Sequence, residues 1–263
     1  MSSSIPYLIV EENLSHAWSR ALLRVVDNPG TVISPLVISV TGFKDEEPIE
    51  DENMREVLDA ALSHNGEQSI ATVANTIFPS SLWRRSQYER QELYQRYIDI
   101  LPRIKAIERH KNRRGLYFER LISFGAGPHS VNQLEHIILE YQRRPGVRKS
   151  MFQASIFDPQ RDHSSSAQIP FPCLQHVSFV PDKQEASLTL NAFYATQQLF
   201  NKAYGNYLGL CRLGAFMAKE MQLTFSRMNC FVGVEKLEGI PKGSTILDPV
   251  IQAAREAIPL TTV

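Results

Sequence analysis

Three short segments hold residues whose type and spacing could do chemistry. In Pro170-Phe-Pro-Cys-Leu-Gln-His-Val-Ser-Phe179 a cysteine follows a proline at the mouth of a strand-like stretch, which fixes a thiol at a strand edge. Only the thiolate is a nucleophile. A reactive Cys173 therefore needs cationic or hydrogen-bonding neighbours, and without them it is a small buried hydrophobe. His176 could serve as a base, but strand alternation puts residues an odd number apart on opposite faces, which argues against a Cys173–His176 dyad. In Arg143-Arg-Pro-Gly-Val-Arg148-Lys149 four cations stand among seven positions around a glycine turn. Such a cluster either holds a phosphate through charge-assisted hydrogen bonds or complements the C-terminus of a helix. In Tyr204-Gly-Asn206-Tyr-Leu-Gly209 an asparagine between glycines opens an apolar run. Its amide, one acceptor and two donors, either caps a helix or reads the edge of a base such as uracil.

The elements that must position these groups follow from hydrophobic periodicity. Leu14, Ala17, Trp18, Ala21, Leu22 and Val25 recur with helical spacing behind Asn13 or Ser15 and stop at Asn28-Pro-Gly30, which predicts a first helix. Thr31 to Gly42 reads as strand, with Pro35 at an edge or bulge because it cannot donate a ladder hydrogen bond. Met54 to Leu62 makes a second amphipathic helix. Arg85 to Lys111 reads as one or two helices broken near Pro102, and Val131 to Tyr141 as another, closed by Pro145-Gly146. The period then changes. Ser150 to Phe157, Gln175 to Val180 and Ala186 to Phe193 alternate and read as strands. An apolar helix from about Asn206 to Met221, a strand from about Met228 to Glu235 and a helix around Asp248 to Ala257 complete the chain. Strands interspersed with helices, without strict βαβ regularity, predict an α/β or α+β fold with a mixed sheet, a single domain over 1–263. The acidic stretch Lys44 to Glu52 and the segment Asp158 to Ala167 read as loops.

Composition narrows the function. The 263 residues include 28 Lys+Arg against 28 Asp+Glu, a formal charge of zero, and 43% hydrophobic residues, enough to bury a substantial core. With no excess of cations there is no long-range field for duplex nucleic acid or an anionic membrane, so any anionic ligand must be met by a local cluster. No run approaches the roughly 20 apolar residues that cross a bilayer, and the first residues show neither a basic region nor a small-residue cleavage site, so the expected location is cytoplasmic. Cys173, Cys211 and Cys230 form no CxxC pair or disulfide framework, and the expectation for Cys211 and Cys230 is a core position.

The order of the segments resembles the thymidylate synthase and pyrimidine hydroxymethylase superfamily. Gly115-Leu-Tyr-Phe-Glu-Arg-Leu121 is similar to the family's "YG.R" segment, Asn132-Gln-Leu-Glu135 to its "DQL" helix, and Val147-Arg-Lys-Ser150 to its "SRR" turn. Ser155-Ile-Phe-Asp-Pro159 resembles "AWNP", Phe171-Pro-Cys173 the "PPCH" loop of the nucleophile, and Tyr204-Gly-Asn206-Tyr-Leu-Gly209 the "FNIASYA" helix start. The match runs from about residue 115 to 221. It implies a mixed sheet flanked by helices in a sheet-to-sheet homodimer, with a pyrimidine nucleotide as substrate and a reduced folate, methylenetetrahydrofolate, as one-carbon donor. It also implies roles: Cys173 adds to C6 of a uracil ring, Asn206 holds O4 and N3–H, Tyr117 orders proton transfer, and Arg148 with Lys149 reaches the partner subunit's phosphate. The sequence departs from the family where its thiolate-supporting Arg and its Asp are expected, at Phe193 and Thr196 or at Ala195 and Gln198. Its His-x-Tyr pair falls on Lys236 and Glu238. Arg212 or Arg120 could replace the missing cation, and Glu67 could stand for the family's catalytic Glu. The expectation is therefore methyl or hydroxymethyl transfer to C5, with a catalytically degenerate nucleotide-binding or structural subunit as the alternative.

Overall fold

The computed structural model describes residues 5–112, 114–125, 131–144, 146–163, 165 and 172–258, with the side chains of 110 and 111 left aside. Pro145, Ala167, Pro170 and Phe171 of the segments above lie outside the described residues. The chain runs β1 (Tyr7–Glu11), α1 (Leu14–Val26), β2 (Val32–Ile33), β3 (Leu36–Val40), β4 (Phe43–Lys44), β5 (Glu47–Pro48), α2 (Glu52–His64), α3 (Ile70–Ile77) and α4 (Ser80–Arg85). It continues with α5 (Arg90–Ile107), α6 (Arg109–Asn112), α7 (Tyr117–Ile122), α8 (Gln133–Arg143), β6 (Gln153–Ser155), α9 (Pro159–Asp162), β7 (Leu174–Asp182) and β8 (Ser187–Gln198). A π-helical turn, Leu199–Ala203, leads into α10 (Tyr204–Glu220), followed by β9 (Thr224–Lys236) and α11 (Leu247–Ala257).

The sheet is mixed, in the order β1-β3-β9-β8-β7-β6, with β2 also on β9. β1/β3 and β8/β9 are parallel; the other pairs are antiparallel. Alternation sets its two faces. Leu190, Ala192 and Tyr194 of β8 and Met228, Cys230 and Val232 of β9 are buried, whereas Phe193 and Phe231 between them are exposed and stack with ring centroids 5.5 Å apart. The buried face packs against α10, whose glycines let it approach α3 closely: a Cβ on Gly205 would sit 2.6 Å from Val73 Cβ, and one on Gly209 2.7 Å from Ala74 O. Helix α1 begins where Asn13 Oδ1 accepts from Ser15 N and His16 N, as its sequence predicts.

Several segments differ from expectation. Thr31 to Gly42 is two strands rather than one, because Ser34-Pro35 interrupts the ladder. Pro102 lies inside a continuous α5, and the acidic stretch contains a hairpin, β4/β5, rather than only loop. That hairpin is tied to α10 by Arg212 Nε donating to Glu47 Oε2 at 2.9 Å. Strand β1 and helices α3 and α4 had no counterpart in the sequence reading. Among the described residues no helix is long and apolar enough to cross a membrane.

Candidate functional site

A cavity of ≈ 630 Å³ opens at the end of β8, between that strand, the start of α7, the start of β7 and the π-turn. That volume lies within the range of small-molecule sites. Tyr117, Cys173 and Asn206, from three segments far apart in sequence, all line it. Arg148 and Lys149 do not. They are exposed at a short 3-10 turn, Lys149–Met151, outside the cavity wall.

The wall bearing Tyr117 is held by a buried ion pair. Gly115, with φ +105, makes the left-handed turn that starts α7, where an L side chain would be strained. One turn later the Arg120 guanidinium, 2% exposed, makes two contacts with Asp162, one of them Nη2 to Oδ1 at 2.7 Å. It also donates to Ile156 O at 2.7 Å and to Arg114 O at 2.6 Å. Burial alone would raise the Asp162 carboxyl, but hydrogen bonds from Arg120 and the Asp158 backbone, with the Arg120 and Arg161 charges, carry it below its usual range. Helix α8 braces the same wall, since Gln133 Nε2 donates to Arg120 O at 2.9 Å and to Ser155 O at 2.8 Å. Arg120 thus lines the cavity as a neutralised strut, and Arg212 pairs with Glu47 elsewhere.

Cys173 sits immediately before β7, with Ala195 N donating to its carbonyl at 3.2 Å. Burial, and then the negative charge of Glu238, push its thiol up. Tyr117 is likewise raised, by burial first and then by Cys173, while backbone N–H groups of Leu174 and Cys173 and the Arg120 charge pull the other way. Its hydroxyl stays protonated at neutral pH. His176 is absent from the cavity lining, and burial lowers its pKa. Cys211 and Cys230 are buried core thiols, as expected.

Sequence reasoning missed the floor of the cavity. Asn201, on the π-turn, donates from Nδ2 to Glu67 Oε1 at 2.9 Å, while its Oδ1 is buried without a hydrogen-bond partner. Gly239, φ +83, makes room for that amide, because a Cβ there would lie 2.3 Å from Asn201 Nδ2. Gln197, at the end of β8, is 2% exposed, and both ends of its amide are unpartnered. Lys202 Nζ donates to Gln68 Oε1 at 2.9 Å, and the π-turn is anchored by Trp18 Nε1 donating to Leu199 O at 3.0 Å. Asn206 lies inside α10 and does not cap it. Periodicity could not have found the π-turn, since its i→i+5 pattern matches neither the helical nor the strand template.

No protein-family model matches the chain, and no curated protein matches it. Among solved structures, the thymidylate synthase of T4 phage aligns with 45% of this chain and 38% of its own, at 19% identity and a TM-score of 0.37. The aligned part is under half of either chain, so the chemistry of the cavity rests on this chain's own residues.

Proposed function

We propose that the cavity binds a pyrimidine nucleotide and that Cys173 supports one-carbon transfer, methylation or hydroxymethylation, to C5 of its ring. The observation that carries this reading is the convergence of Tyr117, Cys173 and Asn206 on one cavity. In the proposed reaction Cys173 Sγ bonds to C6 as its proton passes to a base, for which the Glu238 carboxylate stands on the cavity wall. The C5=C6 π pair moves toward the C4 carbonyl, and Asn206 donates to O4 and accepts from N3–H. C5 would then take up the one-carbon unit and lose its proton as the carrier nitrogen departs, and addition of a hydride for methylation, the reduced folate being the reductant, or of water for hydroxymethylation would expel the Cys173 thiolate and restore C5=C6. Tyr117, held protonated, orders the path of the C5 proton, and Glu67 is the second carboxylate available to receive it. Val73, Leu116 and Pro172 give the cavity apolar surface beside the orphaned Gln197 amide, which suits a flat heterocycle with a polar edge. These residues would hold a reduced folate, which supplies the one-carbon unit when bound. Arg148 and Lys149, exposed and outside the cavity, fit a role toward the phosphate of a partner subunit in a homodimer.

A second reading is a catalytically degenerate subunit that binds the nucleotide without turnover. It is favoured by the charge acting on the Cys173 thiol, which comes from the acid Glu238, while the Arg120 charge is matched by Asp162. Incubation with 5-fluoro-2′-deoxyuridine monophosphate and methylenetetrahydrofolate tests both. The catalytic reading expects a covalent adduct by intact mass, absent in Cys173→Ala. Nucleotide binding by calorimetry without an adduct supports the second reading, and no binding rejects both.

A further inference from the structure

Glu235 is the one carboxylate among the described residues that is wholly buried with an oxygen left unpartnered, and the proposed reaction makes no use of it. Its Oε2 accepts from Tyr207 Oη at 3.1 Å, whereas Oε1 has no partner. In the parallel β8/β9 ladder its register neighbour is Gln197, so the two side chains leave adjacent strands on the same face. Both are buried, and both carry orphaned polar atoms. Gln197 alone of the two reaches the cavity wall. Unpaired buried polar groups are costly, so two such groups side by side are complementary to each other and to something that enters the cavity.

We propose that Glu235 is a positioning residue that sets which end of the Gln197 amide faces the cavity, and thereby whether the site prefers a carbonyl or an amino substituent on its ligand. With the Glu235 carboxyl protonated, Oε2 accepts from Tyr207 and Oε1–H donates to Gln197 Oε1. The Gln197 NH2 group then faces the cavity and pairs with a ligand carbonyl. With Glu235 ionised, Oε1 accepts from Gln197 Nε2, the amide turns over, and its oxygen faces the cavity to accept from a ligand amine. Burial places this titration near neutrality, pushing the Glu235 carboxyl up to about 8 against the opposing Tyr207 hydrogen bond. The titratable groups facing it are Tyr207 from α10, Tyr194 from β8 and Cys230 from its own strand. All three are pushed well above their ordinary values by burial first, so they stay neutral while Glu235 changes charge.

The coupling of Glu235 to Gln197 stands on the fold alone; its effect on a ligand rests on the pyrimidine reading above. Two measurements on the full chain separate them. The side-chain amide resonances of Gln197, assigned by their loss in Gln197→Met, should titrate with a midpoint near pH 8 and become flat in Glu235→Gln, a variant that keeps the shape and the Tyr207 contact. Resonances that do not titrate, or that titrate unchanged in Glu235→Gln, overturn the coupling. Calorimetry with deoxyuridine and deoxycytidine monophosphates should give a preference for the carbonyl-bearing base at pH 6.5. That preference should fall severalfold by about pH 8.5, below the range in which the uracil N3–H itself ionises, in the native chain and stay constant in Glu235→Gln, one buried hydrogen bond being worth up to about tenfold. A ratio that does not change with pH overturns the effect on recognition. If neither nucleotide binds, the pyrimidine reading fails, and the amide titration decides the coupling.

Discussion

Replacing Glu235 by glutamine should make the protein more stable at neutral pH and leave it little changed in acid. An unfolded glutamate releases its proton near 4.5, but in the fold the carboxyl holds it to about 8. Because the folded pKa of this acid is raised, the folded chain binds more protons between those values, and stability falls as pH rises through that window. Each pH unit costs about 1.4 kcal/mol, so the native chain loses about 3 kcal/mol between pH 5 and pH 7.5 through this one group. Glutamine titrates nowhere in the range. The stability gap between Glu235→Gln and the native chain should therefore widen by about 3 kcal/mol over that interval, a large part of the roughly 5–15 kcal/mol that holds a typical domain folded. Urea unfolding of both chains at the two pH values measures it, with equal m-values showing that the unfolded states match. A gap that stays constant within about 1 kcal/mol, or narrows with pH, refutes a buried carboxyl held protonated at this position.

Asp162→Ala should destabilise by about 3–5 kcal/mol because it strands the buried Arg120 guanidinium, and Arg120→Met with Asp162→Leu should recover most of that in the same urea assay. Since the Asp162 carboxyl is net depressed, its contribution is present above the usual carboxylate range and should be lost as pH falls below it. Iodoacetamide should label Cys173 more slowly than free cysteine at pH 7.5, because burial and then the Glu238 charge raise the thiol, and Glu238→Gln should speed labelling by removing the smaller of these two causes; peptide mapping that shows no acceleration would contradict the contribution of Glu238. Gly214→Ala should lower the melting temperature, with a cost of about 1–3 kcal/mol, because the new Cβ would lie 2.2 Å from Phe225 Cζ, and Phe225→Leu should relieve part of it.

What the sequence made legible was whatever repeats with a period. Helix α1 with its Asn13 cap, the apolar α10, and the alternation along β7, β8 and β9 follow from side chains that choose a buried face. Cys173 and Asn206 were legible as candidates because their types are chemically pointed, Tyr117 only through the resemblance in segment order, and the fold brings all three to one cavity. The rest depended on contacts that no local pattern encodes. Gln197 reads as one more polar residue at the end of a strand, and only its register with Glu235, 38 positions on, gives it a neighbour of consequence. Arg120 was a candidate to activate the thiol, and it is instead neutralised by Asp162, 42 positions away. Lys44 to Glu52 looked like solvated loop because acids favour water, but the hairpin within it finds Arg212 and Lys219 on α10.

The scattering of the cavity's walls along the chain, from Glu67 to Glu238, bears on when the site exists at all. No fragment ending before β9 contains it, and closing it requires the parallel pairing of β8 with β9, a non-local contact of the kind that forms slowly. Recognition is then a property of the finished chain. A compound that fits would bind no partly folded state and would draw molecules into the native one, adding about 2.7 kcal/mol at a hundredfold excess over its dissociation constant. During synthesis and refolding such a ligand would behave as a chaperone of its own receptor, and the yield of folded protein would report occupancy even where no reaction follows.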